Sequence, residues 1–323
     1  MGQAPAVEFH GTSRFELRHL LGEGGMGVVY EALDREQHTC VALKTLQRMS
    51  GEALLRFKTE FRALADLAHP NLVGLGELIE DAGQWFFTME LVRGVPFLDY
   101  VRIAAPPSPE SEAPGSVTPI TGSGQPVPSA DEIATLAPGE VPLSRERPVI
   151  WAGPVLFDEA HLREALGQLA EGLLTLHAAQ KVHRDIKPSN LLVTSAGRVV
   201  ILDFGVVAEM SQQSWSGLEE NGIILGTPAF MSPEQAAGRS VGPASDWYSV
   251  GVLLYLVLTG RLPFGGSLQS ILAQKQVQEP IPADSFVKGL PEDLRQLCAN
   301  LLRLAPRRRA TGQDVLLCTG RAS

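Results

Sequence analysis

His183-Arg184-Asp185-Ile186-Lys187-Pro188-Ser189-Asn190 is the stretch from which the rest of the 323-residue chain can be read. It joins a carboxylate able to accept a hydroxyl proton, a lysine able to neutralise charge on a moving phosphoryl group, and an amide oxygen able to ligate magnesium. A surface turn of mixed charge is the plain alternative, but eight residues of these types in this order rarely arise by chance. Downstream, the aliphatic run 199–202 leads into Asp203-Phe204-Gly205. Asp203 therefore stands at the end of a buried strand, where such chemistry needs a second metal-binding carboxylate.

Upstream, Gly22-Glu23-Gly24-Gly25-Met26-Gly27-Val28-Val29 fits the pattern G-x-G-x-x-G-x-V. Its glycines let the backbone approach phosphates and offer amide donors with no side chain in the way. The same spacing opens dinucleotide-binding folds, but here it lies between strand-like runs and opens no helix. Val41-Ala42-Leu43-Lys44 then ends an apolar strand in a lysine that needs a partner. In phosphoryl transfer such a lysine grips the α- and β-phosphates and is itself fixed by a helical glutamate. Glu60, in the helical run 57–67, is the expected partner, and Glu52, at the start of that helix, the alternative. Taken singly, a lysine at a strand edge and a glutamate on a solvated helix face are ordinary.

The organisation agrees with one site made from distant segments. Residues 15–101 read as short strands, such as 27–31 and 39–43, with a helical stretch at 52–67. From about residue 157 helical periodicity takes over, with Leu162, Leu166, Leu169, Leu173 and Leu176 on one face. Between them, 103–153 is rich in Pro, Ser, Gly, Ala and Glu and reads as a disordered insertion, because it has too little apolar surface to offset its ordering entropy. With 27 Lys and Arg against 36 Asp and Glu, the net charge of -9 gives no reason to expect nucleic acid. Cys40, Cys298 and Cys318 are too far apart for a metal or disulfide framework, which fits a reducing cytoplasm. The N-terminus has neither a signal peptide nor a myristoylation pattern. The most apolar run, 250–258, is about half the roughly 20 residues needed to cross a bilayer, so a buried helix and no membrane insertion are expected.

In their order these motifs resemble the eukaryotic-type (Hanks-type) protein kinases, over about residues 15–317 apart from the insertion. Gly226-Thr227-Pro228-Ala229-Phe230-Met231-Ser232-Pro233-Glu234 resembles the end of an activation segment, and Asp246-Trp247-Tyr248-Ser249-Val250-Gly251 the start of the central helix of the C-lobe. The resemblance implies an α+β, two-lobed protein kinase fold: an N-lobe of small antiparallel β-sheet plus one helix over about 15–92, and a mostly helical C-lobe over 93–102 and 154–317. Residues 1–14 and 318–323 would be tails. It implies ATP in the cleft, covered by the segment from Gly22 through Glu23, Gly24, Gly25, Met26, Gly27 and Val28 to Val29. Adenine would lie against Leu21, Val29, Ala42 and Leu192, with Met89 as gatekeeper and the backbones of Glu90 and Val92 at its edge. Asn190 and Asp203 would hold Mg2+, with Mn2+ as an alternative, while Asp185, Lys187, Lys44 and Glu60 carry catalysis. Arg309, in 306–309, would make a buried ion pair with Glu234 that is costly to break from one side.

Lys187 and Thr227 are similar to the serine/threonine branch, which implies protein substrates with Ser or Thr acceptors. The family's Ala-Pro-Glu is here Ser232-Pro233-Glu234, a mild departure that keeps the glutamate. Arg184, next to Asp185, implies a basic pocket for a phosphorylated loop, for which Ser211, Ser214 and Ser216 are the candidates; Glu219 and Glu220 would supply charge without modification. The runs 22–27, 188–193 and 243–248 resemble bacterial members, some of which are modules of larger signalling proteins. Further domains beyond residue 323 and a short stand-alone enzyme are both compatible with the chain. Two other readings are a scaffold of the pseudokinase type, against which Lys44, Asp185, Asn190 and Asp203 all stand, and a small-molecule kinase, against which Thr227 and Glu234 stand.

Overall fold

The computed structural model describes residues 9–24, 27–46, 50–102, 157–203 and 227–321. The expected insertion at 103–153 lies outside them, as do Gly25, Met26, Ser211, Ser214 and Ser216. Strands β1 (Phe15–Gly24), β2 (Gly27–Asp34) and β3 (Thr39–Thr45) precede helix α1 (Gly51–Ala65), and β4 (Leu75–Asp81) and β5 (Gln84–Met89) follow it. All neighbours pair antiparallel in the order β1-β2-β3-β5-β4. Alternation gives this sheet two faces. One buries Phe15, Ala32, Leu43 and Phe86, with the Phe15 and Phe86 rings edge-on at 5.8 Å. The other receives α1, whose Phe57, Phe61 and Leu64 follow helical spacing, and Phe61 lies 5.3 Å from Phe87. Ser50 caps α1 by accepting the Ala53 amide.

Past the sheet, β6 (Gly94–Pro96) and α2 (Phe97–Val101) lead to α3 (Glu159–Ala178), and β7 (Leu191–Thr194) and β8 (Val199–Ile201) complete a three-stranded antiparallel sheet with β6. The remaining described helices are α4 (Thr227–Phe230), α5 (Pro233–Ala236), α6 (Pro243–Thr259), α7 (Leu268–Val277), α8 (Glu292–Leu301) and α9 (Gly312–Cys318). The run 250–258 lies inside α6, every one of its residues is buried, and α6 is apolar all round because it is surrounded on all sides. Leu162, Leu166, Leu169, Leu173 and Leu176 of α3 are all buried in the same core. Within the described residues no helix is long and apolar enough to cross a membrane.

Gly251 shows how tightly α6 and α8 meet, since a Cβ there would lie 2.8 Å from Leu301 Cβ and 3.1 Å from Leu302 Cγ. Gly251→Ala should therefore destabilise the fold by about 1–3 kcal/mol by overpacking, although alanine is the better helix former. Urea unfolding checks this, and an unchanged or higher midpoint would contradict the close approach.

Candidate active site

Residues 183–190 connect α3 to β7, and their backbone is held from below by α6. Asp246, in the first turn of α6 and fully buried, accepts the His183 amide at 2.8 Å and the Arg184 amide at 2.7 Å. His177 Nε2, at the end of α3, also meets this carboxylate at 2.8 Å. The buried His183 ring bonds the Leu202 carbonyl at 2.8 Å, which ties this loop to the residue before Asp203. Arg184 at φ 67° and Asp203 at φ 50° occupy the left-handed region. That costs about 1–2 kcal/mol for a residue with a Cβ, and the surrounding bonds hold both in place.

The Asp185 carboxylate is held on one side only. Its Oδ2 accepts Lys187 Nζ at 2.7 Å and Asn190 Nδ2 at 3.0 Å. Its Oδ1 is buried and accepts no hydrogen bond among the described residues. A buried acceptor left unsatisfied costs about 1–3 kcal/mol, which a donor brought to that oxygen would recover. Asn190 Nδ2 also donates to the Asp185 carbonyl at 2.8 Å, so its side-chain oxygen is the end left to act as a ligand. An amide oxygen at Asn190 and a carboxylate at Asp203 suit magnesium, which binds few protein oxygens and completes its shell with water and phosphate.

Lys44 departs from expectation in its partner. Its buried ammonium lies 2.6 Å from Asp203 Oδ1, while Glu60 faces Lys181 at 3.7 Å. The positive φ of Asp203 turns its carboxylate to the end of β3, where the buried ammonium needs a countercharge. Helix α1 presents Glu60 to the start of the loop carrying Asp185. Glu52 pairs with Arg56 on the exposed side of α1, so it does not serve Lys44 either.

The expected adenine contacts lie on the strands around this pair. Lys44 is opposite Val29 on β2 and Phe87 on β5, and Ala42 is opposite Met89. Leu192 is opposite Pro96, Leu21 is exposed, and Val92 packs against the edge of the core. Gly22 pairs with Val29 and Gly24 with Gly27 across the β1–β2 hairpin, beside Glu23 opposite Val28. Gly27 is required there, because at φ 137° a Cβ would fall 1.9 Å from the Thr45 carbonyl oxygen. Glu90 donates its amide to the Gly74 carbonyl at 2.8 Å, and its carboxylate takes both Arg198 Nη atoms at 2.7 and 2.8 Å. Those Arg198 bonds hold the Glu90 carboxyl below its usual range. Arg198 Nε also donates to the Pro70 carbonyl at 2.6 Å, so this junction is cross-braced.

Arg309 and Glu234 meet as a bidentate pair at 2.6 and 2.7 Å, with side chains 1% and 7% exposed. Arg309 also donates to the carbonyls of Arg303, Ala244 and Leu304, and Ser245 Oγ donates to Glu234 at 2.5 Å. Every polar atom of the pair thus has a partner, the condition under which buried charges persist. Thr227 opens α4, upstream of this pair. Of the residues that bear on the site, sequence reasoning missed His177, Arg198, the side-chain role of Glu90 and the anchoring role of Asp246, which it read as the start of a helix. Only Asp246 carried a signal, as an acidic residue opening an otherwise apolar helix.

The sequence is similar to those of known proteins. The family model described as protein kinase domain matches residues 15–117 and 149–318. The serine/threonine-protein kinase pkn2 of Myxococcus xanthus is 32% identical over 278 residues, 84% of this chain and 27% of that protein. PknA of Mycobacterium tuberculosis is 30% identical over 302 residues, covering 91% of this chain and 57% of PknA. PknL of the same organism is 31% identical over 291 residues, 89% of this chain and 60% of PknL. The chain therefore spans between about a quarter and three fifths of the length of these relatives.

Burial alone would raise the Glu234 carboxyl, but the Arg309 and Ser245 bonds outweigh it and leave it below its ordinary 4.5. Its stabilising contribution is thus complete above that value and lost as pH falls through the lower folded one. Arg309→Met should lose about 3–5 kcal/mol at neutral pH by stranding the carboxylate. Its pH dependence should also invert, since burial then favours the protonated acid and mild acidification recovers stability. Urea titrations at neutral and mildly acidic pH read both effects, and parallel profiles for the two proteins would refute the assignment.

Proposed function

The chain belongs to the protein kinase family, and on that premise we propose that it transfers the γ-phosphoryl group of ATP to Ser and Thr hydroxyls of proteins, in bacterial signalling. The observation that carries this reading is the buried Oδ1 of Asp185, without a hydrogen-bond partner among the described residues, beside an Oδ2 fixed by Lys187 and Asn190. Such a carboxylate is oriented by one oxygen and receives a proton on the other. As the acceptor oxygen bonds to the γ-phosphorus and the bond to the bridging oxygen breaks, Asp185 takes the hydroxyl proton and ADP leaves. Lys187 offsets charge on the moving group, and the backbone of the glycine hairpin lies over the phosphates. Asn190 and Asp203 would hold magnesium, which screens phosphate charge when bound. Acceptors of the Ser/Thr type are supported by Lys187, by Thr227 and by the names of the relatives, and the three free cysteines suit a cytoplasmic location.

One observation favours a second reading, a nucleotide-binding scaffold. With Lys44 bonded to Asp203, the cation meant for phosphate and the carboxylate meant for metal neutralise each other. For the transferase reading this is a resting arrangement, exchanged when phosphate draws Lys44 and metal draws Asp203.

Incubation with labelled ATP and magnesium, with and without casein, beside Asp185→Asn, separates the two. The wild type should label Ser or Thr and lose the activity on chelation of the metal. The variant should keep its affinity for ATP and transfer about 100- to 10,000-fold more slowly. ATP binding without transfer by the wild type would leave the scaffold. Ser211, Ser214 and Ser216 are the proposed autophosphorylation positions, and mapping that finds no phosphate between residues 209 and 221 would remove them.

A further inference from the structure

Lys275, on α7, takes no part in the chemistry described above, yet at 1% exposure it is among the most buried charged groups of the described residues. Its ammonium donates to the carbonyls of Pro228 at 2.9 Å, Ala229 at 2.6 Å and Met231 at 2.7 Å. The carbonyl between them, that of Phe230, is taken by Ser249 Oγ of α6 at 2.8 Å. Four consecutive carbonyls, 228–231, are thus held by side chains of the two helices beneath them. These groups end the single turn α4, where no continuing helix supplies amide donors.

Packing does not account for a lysine here. Desolvation penalises the ammonium heavily, pushing its pKa well below the ordinary lysine value, and no carboxylate pairs with it among the described residues. A methionine of similar length would fill the same space without that penalty. What methionine lacks is three donors for three carbonyls. The turn held in this way runs into Ser232 and α5, where Gln235 Nε2 donates to the Arg184 carbonyl at 2.9 Å, one residue from Asp185. It is thereby registered to the loop carrying the proposed base, and among the described residues it has no such tie to the strands that would face the nucleotide. Displacing the turn would move the place where an acceptor hydroxyl arrives and leave the nucleotide where it was.

We propose that Lys275 is a positioning residue for the acceptor. It holds the turn 228–231 as a rigid platform for the acceptor segment of a protein substrate, in register with Asp185. The proposal rests on the reading above, phosphoryl transfer to proteins.

The test compares Lys275→Met and Ser249→Ala with the wild type. Casein phosphorylation is measured at saturating ATP, ATP affinity by calorimetry, and folding by thermal melting. Lys275→Met should melt below the wild type, because three buried carbonyls lose their donor, yet remain folded at the assay temperature and bind ATP as before, while kcat/KM for casein falls about 10- to 100-fold, as expected for a misplaced acceptor. Ser249→Ala, which frees one carbonyl instead of three, should shift the same parameter less. Unchanged casein kinetics in folded Lys275→Met would overturn the proposal, and so would a parallel loss of ATP affinity, which marks a residue of general structure. Should Lys275→Met fail to fold, unchanged casein kinetics in Ser249→Ala would overturn it. A wild type that binds ATP but never labels casein sinks the underlying reading and this inference with it. A working wild type with an indifferent variant sinks the inference alone.

Discussion

The arrangement of this site depends on one buried carboxylate. Asp246 opens a helix whose following residues are mostly apolar and enclosed, and it receives two successive backbone amides of the loop 183–190. A buried carboxylate is tolerable only where hydrogen bonds replace its lost hydration. The amides of His183 and Arg184 and the ring of His177 do so together. Arg184 accepts a left-handed backbone so that both amides point down at the helix. The next residue is Asp185, whose carboxylate then projects up from a loop that cannot settle without lifting bonds off Asp246. Placement of the proposed base is thus inherited from a helix enclosed by the core.

The two lobes are joined by polar braces as well as by the chain. Asn71, after α1, bonds Gln168 of α3 at 2.8 Å and the Val199 carbonyl at 2.8 Å. Arg198, at the turn before β8, holds both the Glu90 carboxylate and the Pro70 carbonyl. Lys44 reaches Asp203 from β3. These three contacts differ in what opposes them. Asn71 and Arg198 hold neutral carbonyls or a committed carboxylate and have no competitor in the proposed reaction. Lys44 and Asp203 each have one, since phosphate competes for the first and metal for the second. Two of these braces therefore have no competitor, and the third, between Lys44 and Asp203, is exchangeable in the proposed reaction.

The motifs were legible in the sequence because spacing along the chain encodes them. Residues 183–190, the glycine hairpin and Asp203 each sit where a short local pattern places them, and the leucines of α3 declared their buried face by helical period. What stayed hidden was the choice of partner in space. The composition of β3 says that Lys44 needs an anion, but no pattern says that Asp203 will turn through a positive φ to supply it while Glu60 faces Lys181. Glu90 illustrates the same limit differently: attention fell on its backbone as an adenine contact, while its carboxylate braces the lobes through an arginine far along the chain. Asp246 was visible as the start of a helix and not as the anchor of a loop, because its partners are backbone amides, which every residue carries.

Arg309 and Lys275 show two ways of burying a cation beside one segment. Arg309 is matched by a carboxylate in a planar, two-bond contact, so pairing itself offsets the cost of removing both charges from water. Lys275 is matched by backbone dipoles and by the Tyr248 ring, 5.6 Å from its ammonium, a weaker compensation, and its burial is tolerated because three carbonyls converge on one ammonium. A guanidinium is flat and could not satisfy a convergent trio, whereas an ammonium could not grip Glu234 with two parallel bonds. Each cation therefore suits the geometry it serves. Between them, the chain from Pro228 to Glu234 is fixed by its backbone at one end and by a side chain at the other. Both fixings come from beneath, through α6, α7 and Arg309 after α8, and they leave the upper face of the turn free of the bonds that hold it. A segment supported in this way can meet an acceptor without having to be ordered by it.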